Sequence, residues 1–378
     1  MLSLNTLPTP CFVLDVARLR ANLETAAHIR AQTGCQILLA TKAFALPAVF
    51  PLMQDYLDGT TASGEFEARM GAEEFGKEVH VYSPAYTEDE VQRLTGLAQH
   101  IYFNSAEQLA RFGGVARAAG AKIGLRVNPG YSNATLGRAL YDPCAPGSRF
   151  GEVESKLDEV DWAGVDIFHV HALCESLADG SVGLIEHVAE KFAPYIAQVS
   201  TVNFGGGHFI NAPGYDVEAL IAAISAFKAR FGVDVVLEPG SGLVVNTGEL
   251  HASVLALHWN DTPLAILDAS ASTHMPDVLE VPYRPVITGA GEAGERANTY
   301  TLGGKTCMTG DVIGTYSFDA PLAPGDRLIF EDQMHYSFVK TNTFNGTPLA
   351  NLAVKWEDGR MELLSEFGYE AFRGRLGH

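Results

Sequence analysis

The stretch Ile37-Leu38-Leu39-Ala40-Thr41-Lys42 is an apolar run of strand length that ends in a lysine. Seven further strand-like runs follow it, at 56–61, 79–82, 100–103, 122–127, 165–171, 199–204 and 233–238. Segments with helical spacing precede the first run and separate most of the others, at 15–33, 64–76, 89–98, 105–119, 183–198 and 217–231. Eight βα units within roughly 220 residues predict a closed, TIM-like (β/α)8 barrel of the α/β class.

The pattern changes beyond about residue 245. Short strand signals then dominate, with turn residues between them, at 253–259, 264–268, 284–288, 297–302, 312–318, 327–330 and 349–355. They predict a second, mostly antiparallel β domain. Segment 8–14 is also strand-like and precedes the first barrel helix, so we expect it to join that domain. The predicted division is a barrel over 15–245 and a β domain built from 1–14 and 246–378.

The composition indicates a folded, soluble protein, because 47% of the residues are hydrophobic and 19% are charged. The formal net charge of −19 argues against nucleic acid and anionic membranes as partners and would attract cationic ligands. The five cysteines include no Cys-x-x-Cys pair, which fits a reducing compartment. No apolar run reaches the ~18 residues of a membrane span, and the first residues lack the pattern of a secretion signal. We therefore expect a cytoplasmic protein.

Polar or glycine-rich residues end the predicted barrel strands, and such strand ends converge on one mouth, where barrel enzymes carry out their chemistry. They are Lys42, Ser63, Asn104, Arg126 with Asn128, His169 with His171, Gly205-Gly206-Gly207 and Glu238. The loop at 128–151 is long enough to lie over this mouth. The pair His169 and His171 could suggest a metal, but the sequence offers no third ligand at an obvious spacing, so we predict none.

The strand-end residues together match one cofactor, pyridoxal 5′-phosphate. A buried lysine with a lowered pKa can form a Schiff base with its aldehyde. Consecutive glycines leave backbone N–H groups open to a phosphate. The carboxylate of Glu238 would keep the ring nitrogen protonated, and an imidazole can stack on the ring. Each residue also has an ordinary structural explanation, such as a strand-capping lysine, a core histidine or a tight glycine turn.

The sequence resembles the fold-type III pyridoxal-phosphate decarboxylases, which share their architecture with alanine racemase. The resemblance spans almost the whole chain and rests on motifs in a specific order. These are Ala40-Thr41-Lys42-Ala43, His169-Val170-His171, Phe204-Gly205-Gly206-Gly207, Leu237-Glu238-Pro239-Gly240, Gly304-Lys305-Thr306-Cys307, Asp332-Gln333-Met334-His335-Tyr336 and Thr343-Phe344-Asn345-Gly346.

The resemblance implies a role for each residue of a homodimeric enzyme with shared active sites. Lys42 would bind the cofactor covalently, His171 would stack on its ring, and Glu238 would pair with the ring nitrogen. Cys307 would reach across the dimer interface and assist protonation. The remaining cofactor contacts would come from Gly206, Gly207 and Tyr336 at the phosphate and from Arg126 near the ring.

Within that family the chain resembles the branch that decarboxylates carboxynorspermidine and carboxyspermidine to norspermidine and spermidine. The diaminopimelate and ornithine enzymes usually continue Glu-Pro-Gly with arginine, whereas this chain has Ser241. The runs 169–175 and 274–285 point the same way. Arg284 is the candidate clamp for the substrate carboxylate. Candidates for the ammonium groups of the tail are Asp277, Glu280, Asp311 and Glu175.

Three alternatives remain open on the sequence alone. The first is a decarboxylase or racemase of another amino acid, such as diaminopimelate or ornithine. The second is a non-catalytic pyridoxal-phosphate carrier, although such carriers resemble only the barrel and have no counterpart of residues 250–378 of this chain. The third is a cofactor-free aldolase that uses Lys42, which would have no need of Glu238 or the glycine turn.

Overall fold

The computed structural model describes residue 4, residues 6–133 and residues 142–377. The chain divides into two compact units, one formed by Ala21–Leu243 and the other by Met1–Arg20 together with Val244–His378. Residues 134–141 of the long predicted loop lie outside the described part.

The described elements are listed here in chain order. The strands are β1 (Cys11–Asp15), β2 (Gln36–Ala40), β3 (Gly59–Ala62), β4 (Glu78–Tyr82), β5 (His100–Phe103), β6 (Lys122–Asn128), β7 (Glu152–Val153), β8 (Ile167–His169), β9 (Thr201–Asn203), β10 (Asp234–Leu237), β11 (Gly248–Asn260), β12 (Thr262–Leu267), β13 (Asn298–Gly303), β14 (Val312–Phe318), β15 (Arg327–Glu331), β16 (Asn351–Lys355) and β17 (Met361–Ser365). The α-helices are α1 (Val16–Thr33), α2 (Phe50–Gln54), α3 (Glu65–Met70), α4 (Glu88–Leu94), α5 (Ala106–Ala118), α6 (Ala178–Lys191), α7 (Ala193–Ile196), α8 (Val217–Phe231), α9 (Ser241–Val244), α10 (Ala271–His274), α11 (Asp277–Glu280) and α12 (Tyr369–Gly374).

The first unit is a closed barrel, as predicted. Its eight strands pair in parallel in the order β2-β3-β4-β5-β6-β8-β9-β10, and β10 pairs again with β2. Residues 37–40 of β2 are all buried, as expected for a parallel strand that is covered on both faces. All eight predicted barrel strands are present, and several are shorter than predicted at one or both ends.

Local signals explain where the barrel helices begin and end. Helix α8 has the predicted bounds: the Asp216 side chain accepts a hydrogen bond from the N–H of Ala219 at 3.0 Å, and Gly232 ends the helix with a φ of 69°. The helix predicted at 64–76 is instead split into α3 and a π-helical turn, Gly71–Phe75. A Cβ atom on Gly71 would lie 2.3 Å from Thr60 Oγ1, so this glycine permits a very close contact with β3.

The second unit is built on a mixed sheet with the order β14-β13-β12-β11-β1-β16-β17, and β15 also pairs with β11. Strand β1 joins this sheet as expected. It lies between β11, to which it is antiparallel, and β16, to which it is parallel. The strand predicted at 284–288 was wrong: this segment contributes an isolated bridge between Ile287 and Phe330. Pro285 explains this, because proline has no N–H to offer a ladder.

Within the described ranges, no helix has both the length and the apolar composition that crossing a membrane would require.

Candidate active site

The carboxyl ends of β2 and β10 meet closely at the barrel mouth. Lys42 lies two residues beyond the end of β2, and the N–H of Ala40 donates to the carbonyl of Pro239 at 3.1 Å. A Cβ atom on Gly240 would lie 2.6 Å from the Cβ of Ala43, so only glycine permits this approach. The Glu-Pro-Gly segment is therefore packed directly against the segment that carries the lysine.

Lys42 is exposed to solvent, yet protein groups surround its amine closely enough to displace bulk water. Loss of bulk water around it, and next the positive charge of Arg126, lower the pKa of Lys42 below its usual range. The neutral amine is thus more populated than in an ordinary surface lysine. A nucleophilic lysine requires this property.

Arg126 forms a rigid cationic element at the end of β6. Its guanidinium lies over the ring of Tyr82 at 4.4 Å and over that of Phe150 at 4.6 Å, and it donates to the carbonyl of His171 at 3.0 Å. The Tyr82 hydroxyl donates to Asn104 Oδ1 at 2.6 Å. Burial lowers the pKa of Arg126, but two aromatic faces stabilise the cation there.

The glycine turn after β9 orients His171. The N–H of Gly206 donates to His171 Nδ1 at 3.2 Å, so this amide fixes the imidazole ring in the present structure. Gly205 and Gly207 have φ values of 67° and 89°, and a Cβ atom on either would lie within 2.6 Å of a backbone carbonyl oxygen. Burial and the charge of Lys42 hold the pKa of His171 well below its usual range, which keeps the ring neutral.

The carboxylate of Glu238 is almost fully buried, and within the described ranges one side chain donates a hydrogen bond to it. Asn203 Nδ2 donates to Glu238 Oε1 at 2.8 Å, while Nε2 of His169 lies 3.8 Å from Glu238 Oε2, beyond hydrogen-bonding distance. Among the described residues, His169 has no hydrogen-bond partner for either ring nitrogen. Burial and the charge of Arg126 keep the pKa of this imidazole well below its usual range.

The geometry supplies the third metal-type ligand that the sequence did not reveal. Ligand atoms of His169, His171 and Glu238 lie within 4.8 Å of one another. However, the Gly206 N–H occupies one nitrogen of His171, and Glu238 already accepts a bond from Asn203. The cluster also adjoins a lysine and an arginine, whose charges disfavour a cation. These contacts favour an organic cofactor with an anionic group over a metal ion.

Three other predicted site residues, Cys307, Asp311 and Tyr336, belong to the second unit. Cys307 is exposed, and its N–H donates to Asn345 Oδ1 at 2.6 Å. The buried carboxylate of Asp311 accepts from Thr306 Oγ1 at 2.6 Å and from the Ser270 hydroxyl at 2.8 Å, so it anchors the loop that presents Cys307. Tyr336 has a φ of 41°, a strained value for a bulky residue.

Like Asp311, three further predicted substrate residues already have partners in the same unit. Arg284 donates to the carbonyls of Thr315 and Gly291 and pairs with Glu292 at 2.8 Å. Asp277 and Glu280 both pair with Lys340. Glu175, in contrast, is exposed in the barrel unit and has a φ of 43°. Direct substrate contact by these four residues and by Asp311 stays a prediction.

Sequence reasoning missed Asn203, Tyr82 and Tyr102. All three belong to barrel strands, where they add polar groups among apolar neighbours. Asn203 immediately precedes Phe204 and the glycine turn, and a buried amide in an otherwise apolar run was the available signal. Nothing in the sequence spacing reveals that Tyr82 stacks on Arg126, because the two residues lie on different strands.

Residues 11–333 match the family described as "Pyridoxal-dependent decarboxylase, C-terminal sheet domain". The chain belongs to the pyridoxal-dependent decarboxylases. It is similar to the carboxyaminopropylagmatine decarboxylase of Synechocystis, with 42% identity over 99% of this chain and 97% of that protein. It is also similar to the carboxynorspermidine/carboxyspermidine decarboxylase of Campylobacter jejuni, with 39% identity over 96% of this chain and 97% of the relative.

A solved structure extends this similarity to three dimensions. The crystal structure of carboxynorspermidine decarboxylase from Campylobacter jejuni, complexed with norspermidine, superposes with a TM-score of 0.90 at 37% identity. The match covers 98% of this chain and 100% of that one. The fold predicted from the sequence is thus confirmed as that of a known pyridoxal-dependent decarboxylase.

The residues present fit pyridoxal 5′-phosphate, the cofactor of this decarboxylase family. Lys42 offers an amine of lowered pKa, and the conformation of the glycine turn excludes side chains from the space beside His171. The buried ring nitrogens of His169 lack partners among the described residues, which is consistent with a site that a further group completes.

Proposed function

We propose that this decarboxylase removes the carboxyl group of a carboxylated polyamine, with carboxynorspermidine or carboxyspermidine as the substrate and norspermidine or spermidine as the product. The observation that carries this proposal is the full-length similarity to the Campylobacter enzyme whose crystal structure contains norspermidine. Ser241 adds support, because the arginine that usually follows Glu-Pro-Gly in the diaminopimelate and ornithine enzymes is replaced.

A second substrate, carboxyaminopropylagmatine, is favoured by the 42% identity to the Synechocystis enzyme. By its name, this compound carries the same carboxylated aminopropyl head on a tail that ends in a guanidinium group. The two candidates therefore require the same chemistry at the head and differ only in the cation at the far end of the tail.

The bound cofactor supplies an aldehyde that condenses with amines and a protonated ring that accepts the electrons released with CO₂. Lys42 would hold the cofactor through its amine, and its lowered pKa favours the neutral, nucleophilic form. Glu238, held in one orientation by Asn203, would keep a proton at the ring nitrogen. His171, which the Gly206 N–H orients, would cover one face of the ring.

Arg126 contributes a fixed positive charge beside these groups. Its three contacts hold the guanidinium still, so its field at the amine and the two imidazoles needs no rearrangement during the reaction. The same charge helps to lower the pKa of Lys42 and to keep His171 neutral. The site thereby concentrates positive potential where a phosphate and a substrate carboxylate would bind.

A substrate panel tests the proposal. The release of CO₂ from carboxynorspermidine, carboxyspermidine, carboxyaminopropylagmatine, diaminopimelate and ornithine should be compared as kcat/KM, with Lys42→Ala as the background. We expect the carboxylated polyamines to exceed diaminopimelate and ornithine by orders of magnitude. A higher kcat/KM with diaminopimelate would overturn the proposed substrate and leave the family assignment intact.

Glu175 is the candidate for tail recognition that is most open to a direct test, because it is exposed and belongs to the barrel unit. We expect Glu175→Gln to raise KM for the polyamine substrates with little change in kcat, since one ammonium contact is lost in ground and transition state alike. The matched control is Glu190→Gln, an exposed glutamate on α6. Equal KM values for both variants would remove Glu175 from the substrate site.

We also propose a homodimer in which Cys307 acts at the partner's cofactor. The exposure of this thiol and the hydrogen bonds that order its loop support the proposal. Mixed dimers of Lys42→Ala and Cys307→Ala chains should recover activity, because one of the two sites regains both residues. Mixtures of Lys42→Ala and Glu238→Ala should not, since these residues share one barrel. Equal results from the two mixtures would contradict the shared arrangement.

We propose a cytoplasmic location on the basis of the cysteines, all five of which are free thiols. Fractionation of cells that express the tagged chain would check this, and recovery in an extracytoplasmic fraction would contradict it.

A further inference from the structure

A series of hydrogen bonds leads from the predicted cofactor partner Glu238 into the interior of the barrel. Asn203 Nδ2 donates to Glu238 Oε1 at 2.8 Å and to the Tyr102 hydroxyl at 2.9 Å. The same hydroxyl lies 2.6 Å from His80 Nδ1, and His80 Nε2 lies 3.4 Å from Glu78 Oε2. Asn203, Tyr102 and His80 are each 0% exposed, so solvent does not compete for these bonds.

Only one arrangement of protons satisfies the whole series. The amide of Asn203 uses both of its N–H groups, one toward Glu238 and one toward Tyr102. The Tyr102 oxygen therefore accepts from the amide, and its own proton must point to His80 Nδ1. His80 then carries its proton on Nε2 and donates it to Glu78. Every donor and acceptor has a single role.

Two contacts of Asn203 exclude the opposite orientation of its side-chain amide. It would place the amide oxygen 2.8 Å from a carboxylate oxygen of Glu238. It would also turn an N–H toward the N–H of Gly205, which now donates to Asn203 Oδ1 at 2.8 Å. The same side chain therefore ties together the carboxylate for the ring nitrogen and the first glycine of the phosphate turn.

We propose that Asn203, Tyr102 and His80 are positioning residues, which hold Glu238 in the orientation that protonates the ring nitrogen of the bound cofactor. The inference rests on the proposed use of pyridoxal 5′-phosphate at this site and extends it to residues that do not touch the cofactor. An amide cannot pass a proton along the series as a hydroxyl or imidazole can. The series therefore orients the carboxylate and does not conduct protons.

The location of the series within the barrel supports a specific role for these residues over simple packing of the barrel core. Buried polar groups are costly unless they are fully bonded, and an apolar set of the same shape would fill the barrel at no such cost. Tyr102 is moreover packed against His169, with ring centroids 4.7 Å apart, so its hydroxyl lies beside the site without being part of the predicted cofactor contacts.

The decisive variant is Tyr102→Phe, which removes one hydroxyl and keeps the ring. Its matched control is Tyr86→Phe. Tyr86 is also a buried barrel tyrosine, and its hydroxyl accepts from the N–H of Ser83 at 2.7 Å and donates to the carbonyl of Tyr102 at 3.2 Å, outside the series. The readouts are the nitrogen NMR shift of isotope-labelled pyridoxal 5′-phosphate in the holoenzyme and the dissociation constant of that cofactor.

We expect Tyr102→Phe to lower the ratio of protonated to neutral ring nitrogen about tenfold, the scale of one hydrogen bond to a charged group, and to weaken cofactor binding by a similar factor. Tyr86→Phe should change the protonation ratio and the cofactor affinity by no more than about twofold. It should lower the thermal midpoint by about as much as Tyr102→Phe does. A wild-type nitrogen signal and wild-type affinity in Tyr102→Phe would overturn the inference.

His80 provides a second, independent test at the far end of the series. His80→Leu removes the acceptor for the Tyr102 proton and should reproduce the spectral change of Tyr102→Phe. His80→Asn places an amide oxygen where Nδ1 was and should restore the wild-type nitrogen signal. If leucine and asparagine give the same signal, the series does not reach the cofactor. If the wild-type chain itself fails to bind pyridoxal 5′-phosphate, the proposed function fails instead.

Discussion

Gly206 allows a sharp test of the glycine turn, because its backbone has an ordinary φ while its surroundings have no room for a methyl group. An alanine Cβ at this position would lie 2.7 Å from the carbonyl oxygen of Glu238 and 3.0 Å from Cε1 of His171. Reaching the ordinary contact distance of 3.4 Å requires a displacement of about 0.7 Å of the turn or of its neighbours. Both neighbours are predicted cofactor contacts.

Two effects of Gly206→Ala follow from this displacement. Overpacking should lower the free energy of unfolding by about 1–3 kcal/mol. Misplacement of the predicted cofactor contacts by somewhat less than 1 Å should lower kcat/KM by roughly 10- to 100-fold. Stability is measured by urea unfolding of the cofactor-free chain, and activity by CO₂ release at saturating cofactor, so that the two effects are separated.

Gly114→Ala is the matched control for this variant. Gly114 is exposed in α5 with no atom within 4 Å of an added Cβ, so alanine there should raise stability by up to ~1 kcal/mol and leave activity unchanged. If Gly206→Ala lowered stability but kept the wild-type kcat/KM, the turn would be a structural element only, and its assignment to the cofactor site would be refuted.

Three further predictions concern the barrel. Borohydride reduction of the holoenzyme should label the peptide that contains Lys42 and should label nothing in Lys42→Ala; a label elsewhere would contradict the assignment. Arg126→Lys should lose about 10- to 100-fold in kcat/KM, because an ammonium cannot stack on two rings while it binds a carbonyl, and wild-type activity would contradict this. Burial and the charge of His80 lower the pKa of His100 from 6.5 to about 3, so the stability it contributes is complete above pH 6.5 and is lost as pH falls toward 3. The free energy of unfolding in urea, measured between pH 7 and pH 4, should therefore depend less on pH in His100→Gln than in the wild type. The control, His28→Gln at an exposed histidine, should keep the wild-type pH dependence. Equal pH dependence in all three chains would contradict the prediction.

The barrel could be predicted from sequence because its strands are apolar runs at regular intervals. Helix α8 was predicted to the residue, since Asp216 and Gly232 are strong signals for a helix start and a helix end. The strand expected at 284–288 failed because Pro285 outweighs an otherwise favourable composition. The split at Gly71 depends on contact with Thr60, which no local pattern reveals.

In the candidate site too, local sequence patterns predicted individual residues, whereas contacts between distant residues could not be predicted. Lys42, His171 and Glu238 could be proposed from the sequence because each ends a strand or belongs to a recognisable motif. The hydrogen bonds of Asn203 and Tyr102 could not be predicted in this way, because their partners lie on other strands. Arg284 is a similar case: its role as a carboxylate clamp stays a prediction, and its bonds to the carbonyls of Thr315 and Gly291 could not be predicted from the sequence around it.

Strand β1 has a consequence for the order in which the molecule is made. Its neighbours in the sheet are β11, which begins at Gly248, and β16, which begins at Asn351. The ribosome completes the whole barrel before either neighbour has emerged. The apolar segment 11–14 therefore has no partner strand during most of translation. Nascent chains should thus acquire protease resistance in the barrel first, while the leading strand remains a target for chaperones until residue 355 is free.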